Sequence, residues 1–193
     1  MRNLLVVGGG SSILNYDELC SEFHQIYIMT SSPPRRKDIV AIIDDWEDLN
    51  ISSLNALTGK IDVVLFTAGK WLPGKITNFN SAKFCDLLDS NAIIQYNVLR
   101  YLVINSHLNR NSVVKLISSQ VVEQFDSSAP EYSLSKSVAE LILKAYCTKY
   151  EVKYEAKRFG LIGESKMYQQ IKDRYGNRES SNSLSEVFEF IVR

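Results

Sequence analysis

At 193 residues the chain is long enough for one domain with a sizeable core, and its 45% hydrophobic and 23% charged residues suit an ordinary globular protein. Basic and acidic residues balance at 22 each, which removes the electrostatic case for nucleic acid or an anionic membrane surface as the main partner. Cys20, Cys85 and Cys147 are widely spaced and His24 and His107 stand far apart. Neither a disulfide framework nor a histidine zinc site is expected, and a reducing, cytoplasmic compartment is. The apolar run at 4–7 is too short for a signal-peptide core, and no stretch approaches the roughly 18 apolar residues of a membrane span.

In chain order, short apolar runs rich in β-branched residues alternate with helix-like segments. Strands are expected at 3–7, 25–30, 38–43, 61–67, 112–118 and 152–159. Helices are expected at 14–23, 48–57, 80–104 and 132–150, with a last one at 184–192 after a polar, loop-like stretch at 173–185. Apolarity that is continuous rather than alternating suggests strands covered on both faces, hence a parallel sheet. The predicted fold is α/β, a Rossmann-like doubly wound parallel sheet in three α/β/α layers, as a single domain over 1–193. One connection strains the scheme. Only residues 31–37 separate the second and third strands, fewer than the dozen or so of an ordinary parallel crossover. Either that crossover is an irregular loop or a strand boundary is misplaced by a few residues.

The first strand runs into Gly8-Gly9-Gly10-Ser11-Ser12, the layout of a dinucleotide-binding turn. Glycines let backbone approach a pyrophosphate, and the following helix offers free N–H groups. Ile13 and Asn15 stand where a full fingerprint carries glycine, so the motif is degenerate, and a plain strand-to-helix turn is the competing reading. After the second strand come Ser31-Ser32-Pro33-Pro34-Arg35-Arg36-Lys37, with no carboxylate before Asp38. NAD sites usually hold the ribose hydroxyls with an acidic residue here, whereas hydroxyls and guanidinium groups at Ser31, Arg35 and Arg36 suit a 2′-phosphate. The expected cofactor is NADP(H), with NAD(H) as the alternative; a solvated basic loop is the competing reading.

Tyr132-Ser133-Leu134-Ser135-Lys136 places a phenol and an ammonium one helical turn apart. A phenol titrates near 10, so proton transfer near neutrality requires help, which a close ammonium in a desolvated site supplies in part. Ser119 follows the fifth strand, at the sheet edge where α/β proteins bind ligands. With Asn91 upstream, the spacing Asn91–Ser119–Tyr132–Lys136 resembles the tetrad of the short-chain dehydrogenase/reductase family. Ala68-Gly69 is similar to the family's Asn-Asn-Ala-Gly turn, with Phe66 and Thr67 replacing the asparagines. Residues 158–162 (RFGLI) resemble its Pro-Gly segment, with Phe159 for proline. The likeness spans about residues 3–164.

That resemblance implies an NADP(H)-dependent oxidoreductase interconverting a carbonyl and an alcohol by hydride transfer. Tyr132 would be the acid/base and Lys136 its tuner and ribose ligand. Ser119 would orient the carbonyl, and Asn91 would hold a water linking Lys136 to solvent. Gly8, Gly10, Ser11, Ser12, Ile13, Ala68, Gly69 and Ile162 would contact the cofactor, with Asp44 at the adenine. The family's threonine after Pro-Gly falls at Glu164, beside Ser165. The C-terminal substrate region, about 164–193, reads as abbreviated, with Met167 and Tyr168 at the position of the family's lid. Trp71, Leu72 and Pro73 are expected near the nicotinamide mouth, or else as an exposed loop. The resemblance also implies a homodimer or homotetramer. Two other functions stay open: a non-catalytic NADP-binding sensor or partner module, and an extended-branch sugar-nucleotide enzyme, suggested by residues 157–164 (KRFGLIGE).

Overall fold

The computed structural model describes residues 2–8, 12–31, 39–43, 51–176 and 179–193. Of the expected site residues, Gly10, Ser11, Arg35, Arg36 and Asp44 lie outside them. Six parallel strands form one sheet: β1 (Arg2–Val7), β2 (Phe23–Thr30), β3 (Val40–Ile43), β4 (Val63–Phe66), β5 (Val113–Ser119) and β6 (Lys153–Phe159). Their spatial order is β3-β2-β1-β4-β5-β6, so the chain reverses direction across the sheet between β1 and β4. Ligands of open α/β sheets bind at such a point, outside the carboxyl ends of the strands.

The layering follows from the strand sequences. Leu4, Leu5, Val6 and Val7 are all fully buried, because alternate side chains enter opposite cores. Leu5 and Val7 pack with Val98, Leu102 and Leu143. Those residues come from α3 (Ile94–Ile104) and α4 (Pro130–Lys149). Leu4 and Val6 pack with Leu19, Val187 and Ile191, from α1 (Tyr16–Glu22) and α6 (Leu184–Val192). The result is the expected three-layer α/β/α arrangement, each such side chain contributing about 1.5–3 kcal/mol of burial.

Three differences from the sequence reading have local causes. The helix expected at 48–57 is a 3₁₀ segment, Ile51–Ala56, where described. The helix expected at 80–104 is α2 (Ser81–Leu88), one π-helical turn at Asp89–Ile93, then α3. A further helix, α5 (Lys166–Tyr175), overlaps the segment read as loop from 173; Ser165 caps it by accepting from Tyr168 N. The short crossover after β2 does join parallel neighbours, with Tyr27 opposite Val40. Among the described residues no helix is long and apolar enough to cross a membrane.

Candidate active site

A cleft of about 530 Å³ opens over the carboxyl ends of the strands at the β1/β4 reversal, within the roughly 300–1,000 Å³ of small-molecule sites. It collects most of the described residues expected to function: Gly8, Ser12, Ile13, Ser31, Ala68, Gly69, Ser119, Tyr132, Lys136 and Ile162 all line it.

The floor is set by how β1 and β4 end. Gly8 has φ of +99°, and a Cβ there would stand 2.3 Å from Ala68 N. Only glycine fits this approach. Thr67 N and Ala68 N both donate to Val7 O at 2.9 Å, and Thr67 Oγ1 donates to Gly8 O at 3.0 Å. Phe66 and Thr67, standing in for asparagines, therefore serve the core and this turn respectively. On the far wall, Ser12 Oγ accepts from Lys166 N at 2.9 Å, tying the glycine turn to the first residue of α5. Sequence reading assigned nothing to Lys166, although it lines the cleft.

Tyr132 and Lys136 sit on the first turns of α4, begun by Pro130 at its N-terminus. Both are buried. Burial pushes the Tyr132 phenol up to about 12, and its hydrogen bond with Ser119 opposes that rise. Burial likewise pushes Lys136 down to about 8, against the pull of the Glu140 carboxylate. The expectation that Lys136 lowers the Tyr132 pKa is not met in this arrangement. The ammonium donates instead to Ile117 O at 3.0 Å, and desolvation dominates both groups.

Asn91 sits beside the cleft rather than in its lining. It is fully buried and is not among the residues lining the cleft. Its Oδ1 accepts from Lys70 N at 2.7 Å, while Nδ2 donates to Lys70 O at 3.0 Å and Ser135 Oγ at 2.8 Å. The side chain thereby clamps the Gly69–Lys70 turn to α4. Buried Gln95 does the same one turn later, donating to Ala68 O at 2.8 Å. The i, i+4 pairing of two amides in an apolar helix was the signal for this second clamp.

Beneath Lys136, the Glu140 carboxylate accepts from Ser118 Oγ at 2.5 Å and from Arg158 Nη2 at 2.6 Å. Burial alone would raise the Glu140 pKa, but these bonds hold it below the usual range. Arg158 also pairs with Glu123 at 2.5 Å. Charge in the cleft is one-sided. Lys70, Lys136 and Lys166 line it, with no carboxylate among the described lining residues. That donor set suits an anionic ligand. Among the described residues, no group of three or more His, Cys, Asp or Glu side chains could hold a metal ion.

No protein-family model matches the chain, and no curated protein matches it in sequence. Solved structures do match it in shape. A short-chain dehydrogenase family protein from Francisella tularensis superposes with a TM-score of 0.80 at 15% identity, covering 100% of this chain and 91% of its own. A short-chain dehydrogenase from Burkholderia cenocepacia in complex with NADP gives 0.77 at 14% identity, over 100% and 84%. A short-chain dehydrogenase/reductase from Saccharomyces cerevisiae gives 0.76 at 18% identity, over 98% and 81%. The strand order, the reversal at β1/β4 and these superpositions agree: the chain has the short-chain dehydrogenase/reductase fold.

Proposed function

We propose that the chain is an NADP(H)-dependent oxidoreductase of the short-chain type, interconverting a carbonyl and an alcohol with Tyr132 as acid/base. One observation carries this reading: Tyr132, Ser119 and Lys136 line the same cleft as Gly8, Ser12 and the Ala68-Gly69 turn. Structures similar in fold bind NADP, and the cationic lining with its backbone-close floor fits a dinucleotide.

When bound, the nicotinamide supplies or accepts the hydride. In the reductive direction Tyr132 Oη donates its proton to the substrate oxygen as charge develops there. Ser119 Oγ bonds that oxygen and orients it, while remaining within reach of Tyr132. The Lys136 ammonium, charged below pH about 8 and donating to Ile117 O, would offer its remaining protons to the ribose hydroxyls of the cofactor. Ser12 and Lys166, joined across the cleft, would hold the phosphates. In the oxidative direction the same groups act in reverse.

The test is carbonyl-dependent NADPH oxidation by the wild-type protein and by Tyr132→Phe. The variant is expected to lose about 10²–10⁴-fold in kcat while binding NADPH with affinity unchanged within about threefold. Undiminished turnover in Tyr132→Phe would end the assignment.

A further inference from the structure

A cluster of charges lies under the cleft, around the ammonium that the proposed function uses. We propose that Glu140, gripped by Arg158, is the positioning residue for Lys136: it fixes that side chain at the cleft and keeps its ammonium charged. The consequence for turnover rests on the function proposed above.

Helix geometry sets the arrangement. Lys136 and Glu140 lie one turn apart on α4, and they hold consecutive residues of β5. Lys136 Nζ donates to Ile117 O at 3.0 Å, and Ser118 Oγ donates to Glu140 Oε1 at 2.5 Å. This double attachment registers α4 against the end of β5, where Ser119 follows. Lys136 and Glu140 are both buried. From β6, Arg158 closes the other side with two prongs, Nε donating to Oε1 at 3.0 Å and Nη2 to Oε2 at 2.6 Å. Both Glu140 oxygens are thus taken, and the carboxylate acts on Lys136 across space.

The sum of charges gives this pair its purpose. Arg158 also reaches Glu123, in the turn after β5, at 2.5 Å. Two carboxylates, one guanidinium and the Lys136 ammonium add to zero only while Lys136 keeps its proton. Burial disfavours that proton, and Glu140 opposes the loss. The neighbouring titratable groups do not compete. Burial pushes the Tyr132 phenol and the Cys147 thiol up to about 12, and burial with Glu140 pushes the Tyr154 phenol up as well. Lys115 and Glu155 pair at 3.1 Å, with Lys115 turned to α6 through Phe190 O. On the elements packed against α4, Lys83 pairs with Glu131 and Asp86 with Lys70, while Asp89 and Arg100 are exposed. A buried ion pair adds little stability over an apolar replacement, so its effect on Lys136 is what distinguishes it.

The experiment reads the ammonium directly, by carbon NMR of protein labelled at lysine Cε, with the Lys136 signal identified by its loss in Lys136→Met. The wild-type midpoint should lie near pH 8. Glu140→Gln keeps the volume and an acceptor for Ser118, and should lower that midpoint by at least about half a pH unit. The alkaline limb of kcat/KM for NADPH-dependent carbonyl reduction should move down with it. Glu123→Gln removes a carboxylate from the exposed end of the same cluster and should leave the midpoint within about 0.2 pH unit. Should Glu140→Gln not fold, the double variant Glu140→Gln with Arg158→Gln, which leaves neither charge unpaired, should show the same fall. An unchanged midpoint in the folded Glu140 variant, or an equal fall in Glu123→Gln, would overturn the inference. A midpoint that falls while the alkaline limb stays in place would overturn its role in turnover. A lowered midpoint in proteins that reduce no carbonyl supports the inference and overturns the hydride-transfer reading instead.

Discussion

Lys136 is the residue on which stability and chemistry conflict. Its ammonium is buried, and the fall in its pKa from 10.5 to about 8 corresponds to roughly 3 kcal/mol of penalty on the charged form. The unfolded chain keeps the proton until about pH 10.5, so the penalty is complete below pH 8 and fades between pH 8 and 10.5. Lys136→Met should therefore raise Tm at pH 7 by a few degrees, at about 2–4 °C per kcal/mol. The lost bond to Ile117 O offsets part of that gain, and the advantage should vanish above pH 10.5. Thermal melts across pH measure this, and turnover of the variant should be lost. Under the proposed function the same titration governs turnover. In the free enzyme kcat/KM for reduction should fall above pH about 8 as Lys136 discharges, while Tyr132, pushed to about 12, stays protonated throughout. A profile flat to pH 10 would show that the charge on Lys136 is not needed for turnover.

At the level of elements, the π-helical turn at Asp89–Ile93 is what brings Asn91 to the turn after β4. Ile94 N reaches back to Asp89 O, and the wider turn presents Asn91 to the Gly69–Lys70 backbone. Asn91→Leu keeps the volume but leaves Lys70 N–H, Lys70 O and Ser135 Oγ without their partner. A loss of about 2–4 kcal/mol is expected, with a fall in kcat; urea unfolding and turnover check both. The sequence showed a continuous apolar period through this stretch, and an i→i+5 bond leaves no mark in residue type. Helix α5 escaped for a different reason: KMYQQIKDRY is mostly polar, so periodicity had little to register, and only its Ser165 cap was readable. The strands were legible because Leu4–Val7, Ile26–Met29 and Val63–Phe66 are buried on both faces, which demands unbroken apolar runs. The Tyr132–Lys136 pair was legible because one helical turn fixes its geometry. Its surroundings were not, since Glu140 and Arg158 meet only through β6 packing on α4.

For the whole molecule, the fold puts Gly8, Ser12, Ser119, Tyr132, Lys136 and the start of α5 around one cleft, so a ligand spanning them should stabilise all three layers together. The cofactor preference read from Ser31, Arg35 and Arg36 concerns residues that, apart from Ser31, lie outside the described set. It is tested by mass action: at equal concentration NADP⁺ should raise Tm more than NAD⁺, its own stabilisation reaching about 2.7 kcal/mol at one hundred times its Kd. Equal shifts would remove the basic-loop argument and leave the site itself untouched.

The central claim is that this cleft moves a hydride between a nicotinamide and a carbonyl carbon while Tyr132 supplies the proton. The most direct measurement uses NADPH deuterated at its hydride-donating carbon and a carbonyl substrate, with mass analysis of the alcohol formed. The account predicts deuterium on the product carbinol carbon with the wild-type protein, formed at least about a hundredfold more slowly with Tyr132→Phe. Deuterium retained on a bound, unreacted nicotinamide with every carbonyl tried, or transferred equally by both proteins, would contradict it.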